Sequence, residues 1–326
     1  MKDIALNIYK DSIIWDNSIV WAEMIPNKLE SLERVRISGV TLASIKINAR
    51  VLGFRSNLIC LMETLKHFEA EDDKYILVKN YDDILRAKKE NKLGLTFSLA
   101  DAGMIENPET DVEIFKRFGV THILLSAGRN TYGDSCYEYT NTGLSIAGRK
   151  FVKMMNSEKI LLDGTLGSYK TTMEAMELSE KPFIFSHVNP FSICKNTRNI
   201  KDDQIKACAK TGGVIGLTFL GGYIGNPKPS AIEMFGMIDY ICELVGSEHV
   251  GFGSNYTVSP EAFFNKLDGA AEGGYINDEY KNCGGACFEH SEITKLINIM
   301  IEKKYKEEDI KNILGMNWRR VYEVLI

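Results

Sequence analysis

Short apolar runs alternate with amphipathic stretches along most of the chain. The strand-like runs cover residues 12–15, 39–47, 93–99, 120–125, 159–162, 182–185, 213–219 and 249–253. Most are nearly continuous in Ile, Leu, Val and Phe, as in strands covered on both faces of a parallel sheet. Between them the spacing of apolar positions predicts helices over 56–70, 81–89, 110–118, 147–155, 169–178, 201–210 and 230–245. Asp202 or Asp203 and Ser230 stand where N-caps belong, and Gly212 and Gly246 where helices should stop.

Eight strand-like runs interleaved with helices predict a (β/α)8 TIM barrel. A doubly wound sheet is the alternative. It often carries a Gly-rich turn after its first strand, whereas the segment here, Asp16-Asn17-Ser18, has no glycine. In a barrel the chemistry sits at the C-terminal ends of the strands. That rule selects Asp16 and Ser18, Lys46 and Asn48, Ala100 and Asp101, Ala127, Arg129 and Asn130. It also selects Asp163 and Thr165, Ser186 and His187, Thr218, and Ser254, Asn255 and Tyr256.

Composition narrows the class. A length of 326 residues suits one domain spanning 1–326. With 44% apolar and 25% charged residues, a disordered or collagen-like chain is excluded. Lys and Arg total 39 against 44 Asp and Glu, so the net charge of −5 offers no general attraction for nucleic acid or an anionic membrane. The seven scattered Cys indicate a reducing compartment. No secretory leader and no run of about 18 apolar residues is found, so a cytoplasmic protein is expected.

Some motifs carry chemistry. His187 follows the run 182–185, and Arg198 comes eleven residues later, in Thr197-Arg198-Asn199. A strand-end His can bind metal, move a proton or serve the structure, and an Arg can clamp a carboxylate. Val250-Gly251-Phe252-Gly253 lacks the Lys-Ser/Thr of a phosphate loop. Cys283, Cys287 and His290 offer three soft ligands, but not at a standard zinc spacing. The long aperiodic stretch 254–290 reads more simply as a lid over the barrel mouth. His67, His122 and His249 read as packing or surface residues.

The chain resembles the membrane dipeptidase (renal dipeptidase) family, zinc-dependent enzymes with a barrel of the metallo-dependent-hydrolase type. The resemblance runs through Gly143-Leu144-Ser145, Gly148-Arg149, Asn156, Leu178-Ser179-Glu180-Lys181-Pro182, Ser186-His187 and Arg198-Asn199. It continues through Asp202-Asp203, Gly212-Gly213-Val214, Val250-Gly251-Phe252-Gly253 and Ile313-Leu314-Gly315, with Asn317, Arg320 and Val321. It implies a TIM barrel with extra C-terminal helices, two zinc ions, a homodimer and a small-molecule substrate bearing a carboxylate.

Carried over residue by residue, the resemblance implies a reworked site. The family's Asp-Gly-His-Asn-Asp motif reads Asp16-Asn17-Ser18-Ile19-Val20, so Ser18 and Val20 stand at two ligand positions. The bridging Glu falls on Ala100, and only a one-residue shift would put Asp101 there. The next ligand His falls on Leu166, and the last is kept as His187. A substrate-contacting His is Ala127, and the Asp of proton transfer is Asn255. The Arg that holds the substrate's carboxylate is Arg198. Four of five ligand positions are thus replaced, and no metal or other cofactor is expected.

Three functions stay open. The pocket works without zinc on a small dipeptide-like or aminoacyl compound, as in secondary-metabolite tailoring. His187, Asp101 and Asn255 are then the catalytic candidates, and Arg198, Asn199, Arg129, Asn130, Asp163 and Tyr256 the substrate-binding ones. Alternatively, the chain is a pseudoenzyme that binds a ligand or a partner. Or it is a metallodipeptidase with a site rebuilt from His187, Asp101 and Cys283, Cys287 or His290.

Overall fold

Nine parallel strands build one sheet: β1 (Trp15–Trp21), β2 (Leu42–Ile47), β3 (Tyr75–Leu77), β4 (Leu93–Leu99), β5 (Val120–Leu124), β6 (Leu161–Asp163), β7 (Phe185–Val188), β8 (Ile215–Leu217) and β9 (Val250–Phe252). The computed structural model describes residues 2–21, 27–47, 53–137, 140–260 and 286–323. The strand order is β6-β5-β4-β2-β1-β9-β8-β7, and a parallel bridge between Asp163 and Ile184 joins β6 to β7. Eight strands therefore make a nearly closed (β/α)8 barrel. The short β3 lies beside the first half of β4, pairing Tyr75 with Leu93.

The alternation of strand side chains sorts the barrel into an outside and an inside. Ala43, Ile45 and Ile47 of β2 and Leu93, Leu95, Phe97 and Leu99 of β4 join the main apolar core under the helices. Leu42, Ser44 and Lys46, with Gly94, Thr96 and Ser98, take the other face, inside the barrel, and pair with each other in register. The N-terminal floor is apolar: Trp15, Leu42, Leu161, Ile184 and Val214 pack with Trp318 and Tyr322 of the C-terminal helix Asn317–Tyr322. Trp15 stacks on Tyr322 with ring centroids 5.0 Å apart. The indole of Trp318 donates to the Phe252 carbonyl at 2.9 Å. Gly251 is required there, because a Cβ would lie 2.5 Å from that indole nitrogen. With this floor plugged, the open end is the C-terminal one.

Four expectations need correction. The first strand does not end at Trp15 but starts there. Asp16-Asn17-Ser18 is not a turn; these residues lie within β1, beside a register shift between Asp16 and Ile19. The barrel interior is polar at that level, so polar side chains belong in the strand. β3, only three residues long, carries too short a pattern to be read. Asp202 and Asp203 occupy the first turn of helix Asp202–Lys210, with Lys201 as N-cap, where they complement the helix dipole. Helices Lys2–Asp11 and Lys28–Ile37 add to the pattern read from sequence, while Ile293–Glu302 is one of the C-terminal helices that the resemblance implies; Lys2–Asp11 and Ile293–Glu302 lie against each other. Ser230 does cap helix Ala231–Val245 through a capping box, and Gly212 and Gly246 take positive φ after their helices.

Candidate functional site

Lys46 is buried inside the barrel near the C-terminal end of β2. Its Nζ lies 3.0 Å from His187 Nε2 and donates to Asn255 Oδ1 at 2.6 Å. Burial, reinforced by the charge of Arg198, lowers its pKa to about 7. Sequence reading puts Lys46 at a strand end without giving it a role. The signal was there: it is the one charged residue in the apolar run 39–47.

His187 is fully buried. Its Nδ1 lies 2.6 Å from Ser186 Oγ, and burial together with the cations Lys46 and Arg198 holds its pKa well below the usual value. As an ammonium Lys46 only donates, and in that state Nε2 accepts and the ring proton belongs on Nδ1. Asn255 holds a left-handed φ of 52° and fixes Lys46, while its amide N–H donates to the Ser18 carbonyl at 2.7 Å. Asp163 accepts from the Thr165 and Ser186 amides through Oδ1 at 2.8 and 3.0 Å. Its Oδ2 is buried with no hydrogen-bond partner among the described residues, as are the hydroxyls of Ser18, Ser44, Thr96 and Ser98. The barrel interior near Lys46 is thus lined with polar groups.

Other expected site residues have structural partners. Asp101 accepts from the Gly103 amide at 2.7 Å and from Asn130 Nδ2 at 2.6 Å, tying the loops after β4 and β5 together. Asn130 also donates to the Leu125 carbonyl and accepts from the Tyr132 and Gly133 amides. Asn199 donates to the carbonyls of Cys194 and Tyr223 and accepts from the Asn189 amide. Arg129 is exposed, with Nε 3.9 Å from Asp134 Oδ1. Tyr256 is buried and donates to Glu289 Oε2 at 2.7 Å; burial and that carboxylate push its pKa up.

Arg198 is buried, with its guanidinium 4.3 Å above the Tyr223 ring. It lines a cleft of about 320 Å³ together with Cys136, Gly164, Leu166 and Tyr169. Asp202 and Asp203 are engaged elsewhere, Asp202 by Ser192 and Tyr240 and Asp203 by Tyr169.

The proposed Cys/His cluster separates. His290 Nε2 lies 2.7 Å from Asp16 Oδ2, an oxygen that also accepts from Ser254 Oγ. Cys287 Sγ contacts the Thr257 carbonyl, and burial pushes its thiol up to about 12. Cys283, Asn48 and the middle of the expected lid lie outside the described residues. The lid's described end is fastened, with the Phe288 amide donating to the Phe219 carbonyl at 2.8 Å. His122 faces inward, its Nδ1 2.7 Å from Tyr322 OH, and burial lowers its pKa to about 4.

Residues 43–268 match the sequence pattern of the membrane dipeptidase family, peptidase family M19. The chain belongs to that family. It is 24% identical to dipeptidase tcpJ of Claviceps purpurea over 259 residues, 78% of this chain and 56% of the relative, so it spans little more than half of that protein's length. Among solved structures it resembles an amidohydrolase from Pseudomonas aeruginosa, with a TM-score of 0.82, 24% identity and 98% of each chain covered. It also resembles the probable dipeptidase PvdM from Pseudomonas aeruginosa, with a TM-score of 0.80 and 17% identity, covering 99% of this chain and 98% of that one. These likenesses show the fold.

The family's two zinc ions do not fit the described residues. Val20 is buried and pairs in register with Lys46; Ala100 is buried; Leu166 holds a positive φ of 70°. The lone pair of His187 that a metal would take faces the Lys46 ammonium. No three His, Cys, Asp or Glu side chains among the described residues gather as a metal site would need.

Proposed function

We propose that the mouth is a metal-independent pocket for a small dipeptide-like or aminoacyl compound, with Arg198 anchoring its carboxylate. The observation that carries this reading is a buried arginine on the wall of a cleft, close enough to the mouth for its charge to act on Lys46 and His187. The two neighbouring acids are engaged by other groups, Asp202 by Ser192 and Asp203 by Tyr169. Neutral His187 holds Lys46 in place through Nε2, and Asp163 keeps one buried oxygen without a hydrogen-bond partner among the described residues. Asp101, Asn130 and Asn199 shape the loops around the ligand.

A second reading has its own support. Asn255 is an amide where the family has a titratable Asp, and Lys46 engages it. A pocket without metal-bound hydroxide and without that base binds ligand and turns nothing over.

Titration with a panel of dipeptides and N-acyl amino acids, followed by calorimetry and by product analysis, tests both. Carboxylate-bearing members should bind, and Arg198→Ala should weaken them by about 10- to 150-fold, as expected for the loss of a charge-assisted contact. Equal binding by Arg198→Ala would end the anchor role. Binding without turnover of any member selects the second reading.

A further inference from the structure

Lys46 and His187 belong to opposite sides of the barrel. Going round the ring from β2 to β7, three strands intervene either way: β1, β9 and β8, or β4, β5 and β6. A contact of 3.0 Å between their side-chain ends therefore spans the barrel and lies near its axis. His187 stands where the family keeps its last zinc-ligand His, and the lone pair it would give a metal points at the Lys46 ammonium. Asn255, at the family's Asp position, grips the same ammonium at 2.6 Å. Val20, at another ligand position, is the register partner of Lys46. Asn255 and Val20, both replacements, thus lie beside the retained His187 at one point, and below about pH 7 that point carries a positive charge supplied by the chain.

An ammonium has three N–H bonds and no lone pair. Two are used by His187 and Asn255, and the third has no acceptor among the described residues. A metal ion at the mouth of such a barrel makes a hydroxide and polarises an acyl oxygen. An ammonium makes no hydroxide but does offer a fixed charge and a directed donor to an acyl oxygen.

We propose that Lys46 stands in for the lost metal, its third N–H holding the acyl oxygen of the compound whose carboxylate Arg198 anchors. This rests on the carboxylate reading above and narrows the ligand class to N-acyl amino acids and dipeptides.

The test compares N-acetylglycine with pentanoate, a chain of similar length with a carboxylate but no acyl oxygen, in NMR titrations. The wild-type chain should prefer N-acetylglycine by about 10-fold. Lys46→Met should lose that preference, so that the two compounds bind alike, Lys46→Arg should keep it, and Arg198→Ala should weaken both compounds. If Lys46→Met does not fold, Lys46→Gln gives the same reading. A preference that survives in the neutral variants, or is missing from the wild type, overturns the role of Lys46 and leaves the anchor intact. Binding of neither compound by the wild type removes the carboxylate reading and this inference with it.

Discussion

Two buried histidines flank the mouth and face opposite partners. His187 meets a cation, Lys46, and the charge of Arg198 acts on it as well. His290 meets a carboxylate, Asp16, which Ser254 and the amides of Ser18 and Ser254 also hold. One arrangement places unfavourable charge in a buried site and leaves a donor unused. The other satisfies its groups and fastens the segment after residue 286 to β1. The first has the character of a binding site and the second of a clasp, because functional sites keep the local cost that structural sites remove.

The largest expected effect breaks the clasp. His290→Ala removes a hydrogen bond to a buried carboxylate and the ring contacts to Phe219 and Tyr256, each 5.1 Å between centroids. A loss of about 3 kcal/mol is expected. For a chain of this length that is a fall of roughly 4 °C in Tm. Thermal unfolding checks it, and a change under about 1 °C would mean that the clasp is ornamental.

The contrast also marks what could be read from sequence. The alternation of apolar runs announces the barrel because its outer faces are uniformly apolar. The clasp was not legible: Asp16 and His290 are 274 positions apart, and nothing local couples them. Lys46 was half legible, a lone charge in an apolar strand whose partners come from β7 and the loop after β9. Asp101, Asn130 and Asn199 stand at strand ends as binding residues would. Residue type and position cannot tell a group that faces a ligand from one that organises the loop beside it. The polar triplet Asp16-Asn17-Ser18 misled for a related reason, since a strand lining a polar chamber looks locally like a turn.

The second prediction concerns the strained side of the comparison. Lys46→Met removes a buried charge, so it should raise stability by about 2 kcal/mol near pH 6.5, whereas the clasp variant loses stability. The sign of the pH dependence follows from the shift. The folded-state pKa of Lys46 is about 7, against 10.5 for the free side chain. Between these values the unfolded chain binds more protons, so wild-type stability rises with pH across that window. Below about pH 7 both states are charged and the full penalty is present. The advantage of Lys46→Met should therefore shrink from pH 7 to pH 10, and the difference between the two melting curves isolates this group from the other titrations. A constant difference across that range would show that Lys46 titrates normally and is not held as described.

The smallest expected effect is the response to zinc, and it separates the two histidines most directly. To take a metal, His187 would have to release Lys46, and Ser18, Val20, Ala100 and Leu166 offer no ligands to help it. His290 and Asp16 are a possible donor pair, but His290 Nε2 is taken up by Asp16, whose oxygens also accept from Ser254. Adding zinc to the chelator-treated protein should therefore move Tm by less than 1 °C. Zinc bound at a hundred times its Kd would add about 2.7 kcal/mol, roughly 4 °C for a chain of this length, so a real site could not hide. A shift of that size would restore the metallodipeptidase reading, and a second measurement would locate it. Loss of the shift in His187→Ala would place the ion at the barrel axis and displace Lys46 from its assigned role. Loss in His290→Ala would instead place it at the clasp, leaving the Lys46 pocket as it stands and turning the fastening of β1 into a metal-controlled one.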